Sequence, residues 1–187
     1  HIPYASVSET AASHTITAAS ASKAWNLAGL KCAQVILSND QDAALWETFG
    51  MWAGHGTATL GVLANTAAYS AGGPWLENVV DYLDGNRQLL EHLVTEHLPG
   101  VRLIKPEGSY IAMLDFRQTG LEGDLGEWFR EEAGVAMTDG AACGVAGLGY
   151  TRFVFAMPRP IMREAIMRIS RALERRAASA EAAAGAA

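Results

Sequence analysis

Cysteine is scarce in this sequence. The two cysteines, Cys32 and Cys143, lie far apart and show no spacing that is typical of a disulfide framework or a metal site. A chain of this kind is expected in a reducing compartment. We therefore predict a cytoplasmic protein that holds no metal.

Long apolar runs and clustered positive charge are also missing. No stretch approaches the roughly 20 apolar residues that cross a bilayer as a helix, and no signal peptide is recognisable. The net charge of −6 argues against nucleic acid as a partner, because nucleic-acid binding needs concentrated lysine and arginine. Neither a membrane nor a nucleic acid is therefore an expected partner.

The composition is that of a folded protein with two parts. Half of the 187 residues are hydrophobic, which suffices for one good core or two small domains. The clearest turn signal is Gly72-Gly73-Pro74, where the pattern changes from a loop, a strand and helices to a self-sufficient α+β unit. We predict a first domain over residues 1–74, a second over 75–176, and a frayed, alanine-rich tail over 177–187.

Apolar periodicity and turn residues predict the order of the elements. In the first domain they predict two strands, at 15–18 and 32–37, and two helices, at 41–52 and 57–70. The second strand is predicted to be buried, and Asp40 is predicted to be the N-cap of the first helix. In the second domain they predict a long helix over 75–98, strands at 101–104, 110–116, 135–138 and 152–156, a short amphipathic helix over 124–134, and a last helix whose first turn holds Pro160. Gly85, inside the long helix, costs about 1 kcal/mol relative to alanine and allows a bend there.

The residues that point to chemistry are concentrated around Lys23. Ser20 and Ser22 precede this lysine, and apolar or turn-forming residues follow it, so we expect its amine to be buried. Burial disfavours the charged form of an amine, and a neutral amine attacks carbonyl groups, which is the chemistry of Schiff-base lysines. The two hydroxyls, together with Lys31, can hold an anion such as a phosphate ester.

This stretch also carries a family resemblance. Ser20-Ala21-Ser22-Lys23, followed by an aromatic residue, an asparagine and Leu-Ala-Gly-Leu, resembles the cofactor-lysine motif of fold-type I enzymes that use pyridoxal 5'-phosphate (PLP). The sequence is most similar to the cystathionine β-lyase/C–S lyase branch (MalY/PatB type) of the class I/II aminotransferase superfamily. Further matching segments are Thr57–Gly61, Ala67–Tyr69, Gly73–Leu76, Tyr82–Arg87, Pro106–Tyr110, Leu114–Arg117 and Thr151–Arg159.

The resemblance implies a fold, a cofactor and an assembly. It implies an α/β chain of fold type I, in which the C-terminal end of the large domain is followed by the small α+β domain. It implies PLP as the cofactor and a homodimer as the assembly. The chain would then be the C-terminal portion of a longer enzyme, whose other half supplies the rest of the cofactor pocket.

The resemblance also implies roles for individual residues. Lys23 would form the Schiff base with PLP and, once released by the substrate, would remove the Cα proton. Ser20, Ser22 and Lys31 would bind the cofactor phosphate. Many relatives carry arginine at the position of Lys31, and a lysine there keeps the charge but loses the bidentate contact.

Arg152 is the candidate for substrate binding. It lies in a predicted strand among apolar residues, where a guanidinium is costly unless it is paired. A structural ion pair with an acidic side chain would explain its position. The resemblance implies instead that Arg152 binds the α-carboxylate of an amino-acid substrate through two parallel hydrogen bonds.

Three functions follow from these observations. The first is a PLP-dependent C–S β-lyase that resembles cystathionine β-lyase and acts on a small amino-acid substrate. The second is an aminotransferase, which would use the same lysine and arginine. The third is a catalytically silent module for folding or dimerisation. The resemblance favours the lyase.

Overall fold

A computed structural model of the protein describes residues 1–185, which form two compact units. The first unit is His1–Val79 and the second begins at Val80, inside a helix. Residues 186 and 187, the end of the predicted tail, lie outside the described residues. Within the described part of the chain, no helix is both long enough and apolar enough to cross a membrane.

The first unit combines a two-stranded ribbon with helices. Its strands are β1 (Ile16–Ala19) and β2 (Gln34–Leu37), which pair antiparallel with Ile16 opposite Leu37. Its helices are α1 (Glu9–Ala12), α2 (Ala21–Ala24), α3 (Asp40–Gly54) and α4 (Thr59–Ala71), and single 3-10 turns lie at Tyr4–Ser6 and Ala28–Leu30.

Two predicted details of the first unit are wrong. The strand β2 is not buried, because a two-stranded ribbon is not covered by other elements on both of its faces. Val35 and Ile36 therefore remain 44% and 53% exposed. The N-cap of α3 is Asn39 rather than Asp40. Asn39 has the extended backbone that a cap requires, and its side chain accepts a hydrogen bond from the backbone N–H of Asp42 at 2.8 Å.

The second unit is a four-stranded antiparallel sheet with helices. The sheet has the order β3-β4-β6-β5, formed by β3 (Arg102–Ile104), β4 (Ile111–Asp115), β5 (Thr138–Asp139) and β6 (Tyr150–Val154). Its helices are α5 (Gly73–His97), which begins in the first unit, α6 (Leu125–Glu132) and α7 (Arg159–Gly185). The element order predicted for this part of the chain is therefore confirmed.

The core of the second unit follows the apolar periodicity of its helices and strands. In α7, Met162, Ile166 and Ile169 recur at helical spacing and are completely buried. They belong to one apolar cluster, whose largest fully buried members also include Leu90, Leu98, Leu114, Phe116, Leu125, Phe129, Phe153 and Phe155. A core of this size explains why the second part of the sequence reads as self-sufficient.

Two elements of the second unit differ from their predicted form. The strand β5 is shorter than predicted. The N–H of Val135 donates to the carbonyl oxygen of Phe129 at 3.1 Å, at the C-terminal end of α6, and therefore does not pair in the sheet. The helix α5 is continuous through Gly85, where an added Cβ would lie 2.6 Å from Nη2 of Arg159. The helix α7 extends to Gly185 and so includes most of the alanine-rich segment, because alanine is the strongest helix former.

Asp115, at the end of β4, is a buried carboxylate that pairs with two arginine side chains. The Arg117 side chain donates to its carboxylate from Nε at 2.9 Å and from Nη2 at 2.8 Å, and Arg102 Nη2 donates at 3.2 Å. These hydrogen bonds, chiefly those from Arg117, hold the pKa of Asp115 well below its usual value. The ionised carboxylate is therefore stabilised by the folded state.

We expect Asp115→Asn to lower the free energy of unfolding by about 1–2 kcal/mol at pH 7. The figure is modest because the arginine side chains remain 66% and 56% exposed. Since the folded pKa is depressed, the stabilisation is complete above the unfolded pKa of about 3.9 and is lost as the pH falls towards the folded pKa. Urea unfolding at pH 7 and at about pH 3 measures the difference.

The matched control for that experiment is Asp81→Asn, on the exposed side of α5. We expect this control to leave the free energy of unfolding within about 0.5 kcal/mol of the wild type at both pH values. A difference between wild type and Asp115→Asn that stayed constant from pH 7 to pH 3 would contradict the ionic origin of the stabilisation.

Candidate functional site

The helix α2 is a single turn that carries Lys23. Ser20 is its N-cap residue and has an extended backbone, with φ −159° and ψ 155°, but its hydroxyl makes no capping hydrogen bond. After the helix, the backbone of Asn26 has a φ of 56°, which lies in the left-handed region. This geometry places Ser20, Ser22 and Lys23 on one turn of backbone.

The predicted burial of the Lys23 amine is wrong for this chain. Lys23 and Lys31 are exposed, and Ser20 and Ser22 are half-buried. The physical reason is that the first unit has no large core: its buried hydrophobic residues are the small side chains Ala11, Ala21 and Ala68. The apolar residues that follow Lys23 therefore do not enclose its amine.

The four predicted cofactor ligands have no competing partner within residues 1–185. Neither serine hydroxyl takes part in a side-chain hydrogen bond there, and no carboxylate of that range lies within 4.0 Å of Lys23 or Lys31. Two hydroxyl donors and two amines are thus available for a ligand in one short stretch. That donor set fits PLP, because hydroxyls and an ammonium bind a phosphate, while a second amine reacts with an aldehyde.

One face of α4 holds this stretch in place. The side-chain Oδ1 of Asn65 accepts a hydrogen bond from the backbone N–H of Ala21 at 3.0 Å. One turn earlier, Gly61 lies so close to the carbonyl oxygen of Leu30 that a Cβ at this position would collide with it. The absence of a Cβ at Gly61 therefore allows α4 to pack closely against residues 20–31, which we call the lysine stretch.

Trp25 provides a further contact between the lysine stretch and α4. Its indole Nε1 donates to the carbonyl oxygen of Gly72 at 2.9 Å. Its ring meets the ring of Tyr69 edge to face, with centroids 5.0 Å apart. The position of α2 is thus fixed at both of its ends.

Arg152 lies in β6, paired with Met113 of β4 on one side and Thr138 of β5 on the other. It is half-buried and lines a cavity of about 540 Å³ within the second unit. The other residues of this cavity are Gly134, Val135, Ala136, Met137, Thr138, Phe153, Val154, Met157, Ile161, Glu164, Ala165 and Arg168.

The guanidinium of Arg152 is not part of a structural ion pair with any residue that the structure describes. The acidic residue of the cavity, Glu164, is bound by Arg168 Nε at 2.8 Å and by Arg171 Nη2 at 3.5 Å. The hydrogen bond from Arg168 holds the pKa of Glu164 below its usual value. Among the described residues, no carboxylate therefore forms the structural ion pair considered for Arg152, and its hydrogen-bond donors are available for a ligand.

Asn86 was missed by the sequence analysis. It is completely buried, and its Nδ2 donates to the carbonyl oxygens of Phe155 at 2.9 Å and Met157 at 2.8 Å. Its Oδ1 accepts from Arg159 Nε at 3.1 Å, and the guanidinium of Arg159 lies 4.8 Å from the ring centroid of Tyr82. Arg159 is thus part of a fixed cluster that holds the segment after β6, not an isolated surface charge.

Solved enzymes share the fold of this chain. A provisionally named PLP-dependent beta-cystathionase from Corynebacterium diphtheriae matches it with a TM-score of 0.89 and 43% sequence identity, over 93% of this chain and 46% of that protein. The fold is that of the type I class of PLP-dependent enzymes, as predicted.

The sequence comparison narrows this class to a family. Residues 3–169 match the family described as aminotransferase class I and II, and the chain belongs to that family. A Mycobacterium tuberculosis protein provisionally named cystathionine beta-lyase is 42% identical in an alignment of length 192, which covers 93% of this chain and 46% of the relative. The cystathionine beta-lyase of Corynebacterium glutamicum is 37% identical over 180 residues, which cover 92% and 46%.

These comparisons confirm the resemblance to the cystathionine β-lyase branch. The chain spans about half the length of the curated relatives it matches.

Proposed function

We propose that the complete protein containing this chain is a PLP-dependent C–S β-lyase that acts on amino acids of the cystathionine type. The observation that carries the proposal is the lysine stretch, where two hydroxyls and two amines lie on a fixed backbone without protein partners among the described residues. The lyase names of the most similar relatives support the choice of reaction within the family.

Each predicted residue has a role in this reaction. Lys23 would hold PLP through its amine, and Ser20, Ser22 and Lys31 would bind the phosphate. Bound PLP supplies an electron sink for negative charge at the substrate Cα. The Lys23 amine then takes the Cα proton, while Arg152 binds the α-carboxylate and orients the substrate.

The products follow from the bonds that break. Removal of the proton from Cα leaves its electron pair to form a double bond to Cβ, and the sulfur leaves Cβ as a thiolate. Water then converts the resulting enamine to a 2-oxo acid and ammonia. Cystathionine would thus yield a thiol, pyruvate and ammonia.

Aminotransfer is the second candidate, because the family to which the chain belongs is named for that reaction. We expect the complete protein to release thiol and pyruvate from cystathionine when no 2-oxo acid acceptor is present. A parallel assay measures transfer of an amino group from an amino acid to an added 2-oxo acid. Transfer of the amino group without release of thiol would mean that the complete protein is an aminotransferase and not a lyase. If the complete protein neither retained PLP nor catalysed either reaction, a silent module would be the correct function.

We also propose that the complete protein is a cytoplasmic homodimer. The helices α3 and α4 expose large apolar side chains, which is typical of an interface; Met51 and Trp52 are each 76% exposed, and Leu60 is 69% exposed. The cysteines Cys32 and Cys143 are unpaired, which suits a reducing compartment. Sedimentation of the complete protein at micromolar concentration tests the dimer, and a monomer would contradict it.

A further inference from the structure

The single-turn helix α2 needs support from outside itself. A first helical turn is unfavourable to form, because several backbone angles are fixed for one hydrogen bond. The N–H groups of that turn also have no acceptor within the helix. At Ser20, the residue that would normally supply a side-chain acceptor, no capping hydrogen bond is made.

Asn65 supplies an acceptor at this point. Its Oδ1 lies 3.0 Å from the backbone nitrogen of Ala21, and the two residues are only 6% and 1% exposed. Asn65 stands in the middle of α4, a helix of 13 residues. A buried hydrogen bond to a long helix is therefore a firm anchor for a turn that has little stability of its own.

The anchored residue lies two positions before Lys23. Any rotation or fraying of the turn at Ala21 would redirect the Lys23 side chain and the flanking hydroxyls of Ser20 and Ser22. Trp25 and Gly72 hold the other end of the turn, so the loss of Asn65 would release one end while the other stays fixed.

We infer that Asn65 is a positioning residue, which orients Lys23 and the two serine hydroxyls towards the cofactor without touching it. This inference rests on the proposed role of Lys23. Asn65 itself acts through the backbone of Ala21. The amide hydrogen of Ala21 therefore reports on the role of Asn65 independently of cofactor chemistry.

The first test is amide hydrogen exchange in the complete protein. We expect the Ala21 N–H to be protected in the wild type and to exchange about tenfold faster in Asn65→Ala, the factor that corresponds to one buried hydrogen bond. The change should be confined to residues 21–24. An Ala21 N–H that is unprotected in the wild type would overturn the inference, whether or not the variant folds.

The second test is the site at which PLP is fixed by borohydride reduction, mapped by mass spectrometry over the lysines Lys23, Lys31 and Lys105. We expect Asn65→Ala to lower the share on Lys23 by about tenfold. Asn65→Asp retains an oxygen acceptor and should restore most of that share. Asn78→Ala, at an exposed asparagine of the first unit, is the control and should leave the share unchanged.

These measurements separate the two proposals. Wild-type labelling spread over several lysines would refute the role of Lys23, and with it the positioning of Lys23 by Asn65. Labelling on Lys23 that stays at the wild-type level in folded Asn65→Ala would refute the positioning role alone. If Asn65→Ala does not fold, the wild-type protein decides, because an Ala21 N–H that exchanges as fast as an unprotected amide would overturn the inference without any variant.

Discussion

In the complete protein, Lys23→Ala should lower the rate of β-elimination by about 10,000-fold or more, because one change removes both the covalent anchor of the cofactor and the base. Reduction with borohydride in the presence of PLP should then give no specific label on this chain. In the wild type the label should lie on Lys23. Assays of thiol release and peptide mapping measure the two effects independently.

The control for this prediction is Lys105→Ala. Lys105 is exposed and pairs with Glu91 at 2.9 Å, a surface ion pair of small energetic value. It should retain wild-type activity and wild-type labelling of Lys23. If Lys23→Ala kept measurable lyase activity and the label moved to Lys31, the role of Schiff-base lysine would have been assigned to the wrong residue. The assignment of the chain to its family would not be affected.

The exposure of Lys23 shows where local sequence reasoning fails. The apolar flank after Lys23 suggested burial, but burial is decided by residues distant in sequence. Trp25 packs on Tyr69 of α4 and donates to the carbonyl oxygen of Gly72, which lies 47 residues further along the chain. The availability of the amine in this chain therefore comes from the absence of a carboxylate partner among the described residues, not from enclosure.

The helices and strands could be predicted because their signals are local. The spacing of Met162, Ile166 and Ile169 is sufficient to define the buried face of α7. The same reasoning could not identify Asn65 or Asn86, whose partners lie 44 and 69 residues away. An asparagine in a helix is normally a solvated residue, so only its position on a buried face distinguishes it. In Asn65 the available signal was its place one turn after Gly61, on the small-residue face of α4.

The two units differ in how much of their apolar surface they bury. The second unit encloses a continuous core of aromatic and aliphatic side chains. The first unit buries alanines and leaves Leu45, Trp52 and Leu63 more than half exposed. We therefore expect the second unit to contribute most of the stability of this chain, while the first unit presents the lysine stretch.

Arg152 provides the second large expected effect. Arg152→Gln should lower kcat/KM for cystathionine by about 100-fold, because it removes two charge-assisted hydrogen bonds to the substrate carboxylate. Arg152→Lys should fall between this variant and the wild type, since lysine keeps the charge but cannot form the bidentate contact. Steady-state kinetics of the complete protein measure both variants against Arg163→Gln, an exposed arginine of α7.

A substrate-binding role and a structural role predict stability changes of different size for Arg152 variants. Breaking a buried ion pair costs about 3–5 kcal/mol. Arg152 has no carboxylate partner among residues 1–185, so Arg152→Gln should change the free energy of unfolding by no more than about 0.5 kcal/mol. Urea unfolding of wild type and variant under the same conditions distinguishes the two roles.

The carboxylate of the substrate gives the sharpest version of this test. Inhibition by an amino acid should weaken by about 100-fold in Arg152→Gln, whereas inhibition by the corresponding amine, which lacks the carboxylate, should be unchanged. Equal losses for both inhibitors would mean that Arg152 shapes the site without binding the carboxylate. A loss confined to the amino acid, with unchanged stability, requires direct contact between the guanidinium and the carboxylate.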